Sequence, residues 1–379
     1  MRIVIAPDSF KECLSATKVA AAISEGIKRV VPEAEITCIP FADGGEGTVE
    51  ALVAATSGKI VSTPSVDALN RPIQSFYGIL GDGKTAVIEM AAASGIELLT
   101  QEERNPMIAS TFGTGLLLKS VMEAGFTEII IGIGGSATND GGAGMAQALG
   151  FRLLDKNNDP IGFGGGCLSQ LHRIDSSNVH PNLQKVKITI ASDVQNPLLG
   201  SSGATYIYGP QKGATPQLVE TLEKNMNHFS EILLREFGID YSSIPGAGAA
   251  GGLGAGLMAF CKAEIILGFE LISSVTNLEE HVRNASLVIT GEGKIDQQTA
   301  FGKTVSGVAR LGQKYHVPVF ALAGRVDEDL AELYKQGLTS AFSITNRPMN
   351  LEESKANAAQ LIASTSEQVM RLISGVEKV

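Results

Sequence analysis

An apolar run at residues 2–6 stops abruptly at Pro7-Asp8, and its length and polar end predict a short buried strand. Behind Ser15, the residues Val19, Ile23, Ile27 and Val30 recur at helical spacing, which predicts an amphipathic helix capped by that serine. Pro32 stops the helix, residues 36–39 make the next strand, and 47–57 read as a second helix. The carboxyl-terminal part repeats this grammar. Residues 287–290 form a strand, 304–315 a helix, 318–323 a strand, 327–336 a helix, 340–344 a strand and 351–373 a long closing helix. Strands that alternate with helices in this way predict a parallel sheet covered on both faces.

The middle of the chain follows another pattern. Segments 75–80 and 85–89 flank Gly81-Asp82-Gly83, a strong hairpin signal. Residues 153–159 and 186–191 add strands, and 115–124, 145–149 and 217–237 add helices. Hairpins beside βα units predict a mixed sheet. The expected fold is therefore α/β with two domains. A discontinuous parallel-sheet α/β/α domain takes residues 1–66 plus 286–379, and an inserted mixed α/β domain takes 67–285.

Composition narrows the chemistry. The 379 residues suffice for two domains, and 44% hydrophobic with 18% charged residues describes a soluble globular protein. A formal charge of −10 argues against non-specific nucleic-acid binding, which draws on clustered lysines and arginines. It leaves room for a small anionic ligand, since a few local cations and backbone amides hold one. Cys13, Cys38, Cys167 and Cys261 form no CxxC pair and predict free thiols in a reducing compartment. No apolar run approaches the roughly 20 residues that span a bilayer, and Pro7-Asp8 breaks any signal-peptide pattern. The expected location is the cytoplasm.

Four glycine-rich segments punctuate the chain: Asp43-Gly-Gly-Glu-Gly47, residues 129–145, residues 245–256 and Thr290-Gly-Glu-Gly-Lys294. Such turns either expose amides to an anion or serve tight turning and close packing. Gly132-x-Gly134-x-x-Ala137 after a strand, with Asp155 further on, also fits a dinucleotide fingerprint and suggests an NAD(P)-dependent oxidoreductase acting on a small hydroxy acid. That reading leaves Ser136, Thr138, Asn139 and Asp140 without a purpose. Phe301-Gly-Lys-Thr304 resembles the end of a P-loop, but Gln297 stands where the first glycine belongs, so that motif is rejected. The acids lie where α/β chemistry usually happens. Asp8, with Ser9 and Lys11, follows the first strand, Asp43 the second, and Glu292 and Asp296 the strand at 287–290, while Asp193 follows the strand at 186–191.

Several long motifs occur in a fixed order: Ala6-Pro-Asp-Ser-Phe-Lys11, Ala42-Asp-Gly-Gly-Glu-Gly-Thr48, Ile133-Gly-Gly-Ser-Ala-Thr-Asn-Asp-Gly-Gly-Ala-Gly-Met145, Ser192-Asp-Val-Gln-Asn-Pro-Leu198, Tyr208-Gly-Pro-Gln-Lys-Gly-Ala214, residues 245–257 and Thr290-Gly-Glu-Gly-Lys-Ile-Asp-Gln-Gln-Thr299. Together, and over essentially the whole chain, they resemble the bacterial glycerate kinase family. Two small departures are Glu12-Cys13 where the family commonly has Gly-Ser, and Phe41 where methionine is frequent. The resemblance implies ATP-dependent phosphorylation of D-glycerate at the 2-hydroxyl. It also implies a flavodoxin-like domain from the two chain ends, and an active site in the cleft between that domain and the inserted one.

Phosphoryl transfer asks for positioning and charge neutralisation more than covalent chemistry. On that basis Asp193 is assigned to accept the hydroxyl proton and Asp296 to bind magnesium, with the two roles exchangeable. Asp8, Ser9 and Asp43 support metal or substrate, and Lys11 holds a carboxylate or a transferring phosphate, with Arg71 and Arg325 as weaker choices for the carboxylate. Gly134, Gly135, Ser136, Asn139 and Asp140 cradle substrate or phosphate; Lys212, Gly248, Gly251 and Lys294 join them. The expected cofactors are ATP and magnesium. The expected partners are small molecules, with neither nucleic acid nor membrane, and a homodimer is left open.

Overall fold

The computed structural model describes residues 1–11, 13–41, 44–45, 47–301 and 304–376. Its strands in chain order are β1 (Arg2–Pro7), β2 (Glu35–Cys38), β3 (Lys59–Val66), β4 (Pro72–Ile79), β5 (Thr85–Glu89), β6 (Glu128–Gly132), β7 (Arg152–Leu154), β8 (Arg173–Asp175), β9 (Lys187–Ala191), β10 (Glu264–Ile266), β11 (Leu287–Ile295), β12 (Val319–Val326) and β13 (Leu338–Ser343). The described parts of 1–42, 50–56 and 268–379 make one unit, and those of 43–49 and 57–267 another.

In the first unit all pairings are parallel, in the order β2-β1-β11-β12-β13. Counted within the unit this is 2-1-3-4-5, the flavodoxin-like order, so the direction of winding reverses between β1 and β11. Helix Ala16–Lys28 starts where Ser15 accepts from the Lys18 amide at 3.4 Å. Its apolar stripe, Val19, Ile23 and Ile27, is buried with Ile3, Ile5, Ile289, Ile362 and Met370 in one core. Helix Ala358–Val376 packs beside it. The long closing helix expected over 351–373 is two helices, Leu351–Ala356 and Ala358–Val376, broken at Asn357.

β11 is longer than its apolar run. It continues through Gly291-Glu-Gly-Lys294 because the ladder to β12 holds to Ile295, with Glu292 opposite Ala323 and Lys294 opposite Arg325. A glycine-rich segment that reads as a turn is therefore strand. Pairing with β1 ends at Pro7 opposite Gly291, so Glu292 and Lys294 extend past the end of β1.

In the second unit the order is β10-β9-β6-β5-β4-β3. The first four of these strands run parallel, and β4 and β3 are antiparallel. The mixed sheet is as expected, but the boundaries differ. β3 pairs with β4 from Lys59–Ile79 to Val66–Pro72, so a boundary after residue 66 would cut a hairpin. Residues 268–285 join the first unit instead: the Phe269 ring stacks on Phe41 with centroids 5.2 Å apart, and Glu279 accepts from Lys314 Nζ at 2.5 Å. Among the described residues no helix is long and apolar enough to cross a membrane.

Candidate active site

In the first unit the acids gather at the carboxyl ends of β1 and β11, where the winding reverses and where open α/β sheets bind ligands. The Asp8 amide donates to the Gly291 carbonyl at 2.8 Å. Its carboxylate accepts from the Ser9 amide at 2.6 Å and from Thr304 Oγ1 at 3.1 Å. Thr304 opens helix Thr304–Tyr315. Glu292 is pushed up to about 7, first by burial and then by the neighbouring charges of Asp8 and Asp296; the Thr299 hydroxyl and Lys11 oppose the shift. Asp296 behaves differently. The Lys294 ammonium, 2.6 Å away, holds its carboxyl below the usual range, and Asp296 caps the turn Gln297–Ala300 through the amides of Gln298 and Thr299. Lys294 also lies 3.5 Å from Asp327, which pairs with Arg325 at 2.7 Å. Arg325 is therefore engaged, although its side chain is exposed. Asp43, Gly302 and Lys303 lie outside the described residues.

In the second unit β5, β6 and β9 are parallel neighbours, so Glu89, Gly132 and Ala191 share one end of the sheet. The turn after β6 folds tightly against Gly44 and Gly45. The Gly134 amide donates to the Gly44 carbonyl at 2.9 Å, and a Cβ on Gly134 would come within 2.5 Å of the Gly45 Cα. Asp140 is fully buried and fastens the far side. Its Oδ2 accepts from the Thr111 amide at 2.8 Å, the Thr111 hydroxyl at 2.9 Å and the Gly144 amide at 3.2 Å, while Oδ1 accepts from the Gly142 amide at 3.2 Å. Burial pushes its carboxyl up, and these donors pull the other way. Asp140 is thus the hub that shapes the turn.

Lys212 lies beneath the same turn. Only 2% exposed, it donates to Ser136 Oγ at 2.6 Å and the Thr138 carbonyl at 2.7 Å. Asn139 accepts from Thr205 Oγ1 at 3.3 Å, yet its Nδ2 and the Thr138 hydroxyl are buried without a partner. The backbone amides of Ser136, Thr138, Asn139 and Asp140 also find no acceptor among the described residues, although all four residues are buried. Buried amides almost always have a partner, so this cluster of donors is suited to an anion or to ordered water.

The remaining expected site residues divide. Asp193 is half-buried just beyond β9, on a segment where the Ser192 amide donates to the Ile266 carbonyl at 3.3 Å and the Ser192 hydroxyl accepts from the Val194 amide at 3.3 Å. Gly248 and Gly251 are buried. A methyl on the first would strike the Pro197 carbonyl, and on the second the Thr138 carbonyl, so both press against backbone and Gly251 backs the turn. Arg71 is taken up by Asp67 of its own hairpin and by Glu103, each at 2.5 Å. Sequence reading passed over Glu89, which is buried at the end of β5 and accepts from the Val49 amide at 2.5 Å. An acid closing an apolar strand was the available signal. It also gave Glu292 no role, because the extension of β11 was not foreseen.

The dinucleotide reading fails on geometry. No helix follows the fingerprint directly: Ala137 donates instead to the Ser94 carbonyl, and the next helix starts at Ala143. Asp155 sits in a tight turn, accepting from the Asn157 amide at 2.7 Å and the Asp159 amide at 3.0 Å.

Comparisons with known proteins agree with one another. The glycerate kinase family model matches residues 3–374. A glycerate kinase of Halalkalibacterium halodurans is 50% identical, and a glycerate 2-kinase of Escherichia coli 48% identical, each over 97% of this chain and 97% of the relative. A crystal structure described as a glycerate kinase 2 from Salmonella typhimurium LT2 superposes with a TM-score of 0.90 at 44% identity, covering all of both chains. With the same sheet-end acids and the same glycine-rich turn that its ordered motifs pointed to, this chain belongs to the glycerate kinase family.

Proposed function

We propose that the protein transfers the γ-phosphoryl group of ATP to D-glycerate at the 2-hydroxyl, giving 2-phosphoglycerate. The relation to the Escherichia coli glycerate 2-kinase over nearly the whole of both chains supports the choice of substrate and position. Among the two sets of residues, the turn at 136–140 receives an anionic group on its unpaired amides, with Lys212 as the positive charge behind them. Asp193 accepts the proton of the attacking hydroxyl, as a carboxylate at the end of a parallel strand is placed to do. Lys11 binds the glycerate carboxylate.

Magnesium suits the donors at the end of β1 and β11. Burial and the charges of Asp8 and Asp296 push Glu292 up to about 7, an imbalance that a cation would relieve. Among the described residues no three ligand groups form a closed metal site, and magnesium needs only one or two carboxylates when phosphate and water supply the rest. Asp296 and Asp8 would hold it. Bound there, the ion would neutralise charge on the phosphate oxygens. Phosphorus NMR after incubation with ATP, magnesium and D-glycerate tests the reading: 2-phosphoglycerate and ADP are expected. Product at the 3-position, or no glycerate-dependent ADP, would overturn it.

A further inference from the structure

Lys212 is a buried amine whose near contacts are all neutral. Its partners are a hydroxyl and a peptide carbonyl, and among the described residues no carboxylate comes within ion-pairing distance. Buried charges ordinarily have a closely bonded counter-charge. Here burial drives the lysine down to about 7, and Asp140, bonded to its own four donors, opposes that only from a distance. Glu223, on helix Pro216–Phe237, and Arg104 are charged groups on neighbouring segments. Glu223 accepts from the Gly200 amide at 2.7 Å through Oε1 while its Oε2 is buried without a partner, and the Arg104 carbonyl lies against Gly213 with its Nε buried and unbonded. Above the lysine stand the unpartnered Asn139 Nδ2, the unpartnered Thr138 hydroxyl and the unpaired amides of 136 and 138–140. Donors without acceptors and a lysine without a counter-charge lack the same thing, a negative group.

We propose that an anionic substrate group seated on the 136–140 turn charges Lys212, so that binding there takes up one proton from solvent. The inference rests on the reading of this turn as the anion seat, and it adds a pH-dependent affinity to it. The sign follows from linkage. The complex raises the lysine's proton affinity, so between the free value near 7 and the higher bound value affinity falls by up to about tenfold per pH unit. Below neutrality the lysine is already charged and affinity is flat.

Calorimetric titration of the full-length protein with D-glycerate and, separately, with MgADP at pH 8 tests this in Tris and in HEPES, whose ionisation heats differ. Both ligands are fully ionised at that pH. The ligand whose charged group occupies the turn should take up close to one proton, and Lys212→Arg should bind it with no uptake. Equal heats in the two buffers for both ligands would overturn the proposal. So would uptake that persists in Lys212→Arg, which would assign the proton to Asp140. Should the arginine variant fail to fold, wild-type affinities from pH 6 to 9 decide: a flat profile for both ligands sinks the proposal. Glycerate-dependent ADP release is scored on the same preparation. Transfer without proton uptake rejects only this linkage, whereas absent transfer rejects the kinase reading itself.

Discussion

Asp140 and Asp193 lie beyond neighbouring parallel strands, β6 and β9, in different surroundings. Asp140 has every oxygen bonded by four donors and no exposure, so its carboxylate acts on its own chain. Asp193 stays half-buried just beyond a parallel strand, and the proposed reaction gives it the substrate hydroxyl to meet. The same substitution should separate them. Asp140→Asn points an amide at backbone donors and should cost about 3 kcal/mol, since each stranded partner costs roughly 1–3 kcal/mol. Urea unfolding would show it as a lowered midpoint, and an unchanged midpoint would deny Asp140 its place as hub. Asp193→Asn should keep that midpoint while turnover falls at least about 100-fold. Near-normal turnover would remove Asp193 as the proton acceptor.

Among the elements, the legible ones were those whose apolar period stood alone. The helix behind Ser15 and the strand at β1 follow directly from spacing, capping and a polar stop. β3 was not legible: Lys59-Ile-Val-Ser-Thr-Pro-Ser-Val66 mixes polar residues with a proline, and only its pairing with β4 makes it a strand. The end of β11 failed for a related reason, because Gly291 and Gly293 suggest a turn until the neighbouring β12 is seen to continue the ladder. The glycine-rich turns showed that something close would be held, though not whether ligand or protein backbone would do the approaching. Gly251 illustrates the difference. It has φ +66°, its carbonyl accepts from the Gly141 amide at 3.1 Å, and its missing side chain leaves room for the Thr138 carbonyl that Lys212 binds. Gly251→Ala combines backbone strain with a clash at that carbonyl. It should lower the thermal midpoint and weaken anion binding together. A variant that loses stability yet binds D-glycerate and MgADP normally would show that the turn does not depend on its backing.

For the whole molecule the difficulty is charge. A chain of net charge −10 must take up two anions, so recognition falls to a few local cations and to amide dipoles rather than to the overall field. Most of the described cations near the candidate residues are already committed: Arg71 to Asp67 and Glu103, Lys294 to Asp296 and Asp327, and Arg325 to Asp327. Lys212 is sealed beneath its turn. Lys11 is exposed, with its backbone beside Gly293 on β11 and its charge acting on Glu292. An exposed lysine that meets a small carboxylate contributes to binding the ground state and the transition state alike, which appears in KM and leaves kcat in place. Lys11→Ala should therefore raise the KM for D-glycerate about tenfold, the loss expected of one charge-assisted contact worth about 1.4 kcal/mol, with the KM for ATP little changed. A rise confined to the ATP KM would move Lys11 to the phosphates. If neither KM changes, the glycerate carboxylate is held by amides alone, and the anion economy of the protein would rest on its backbone.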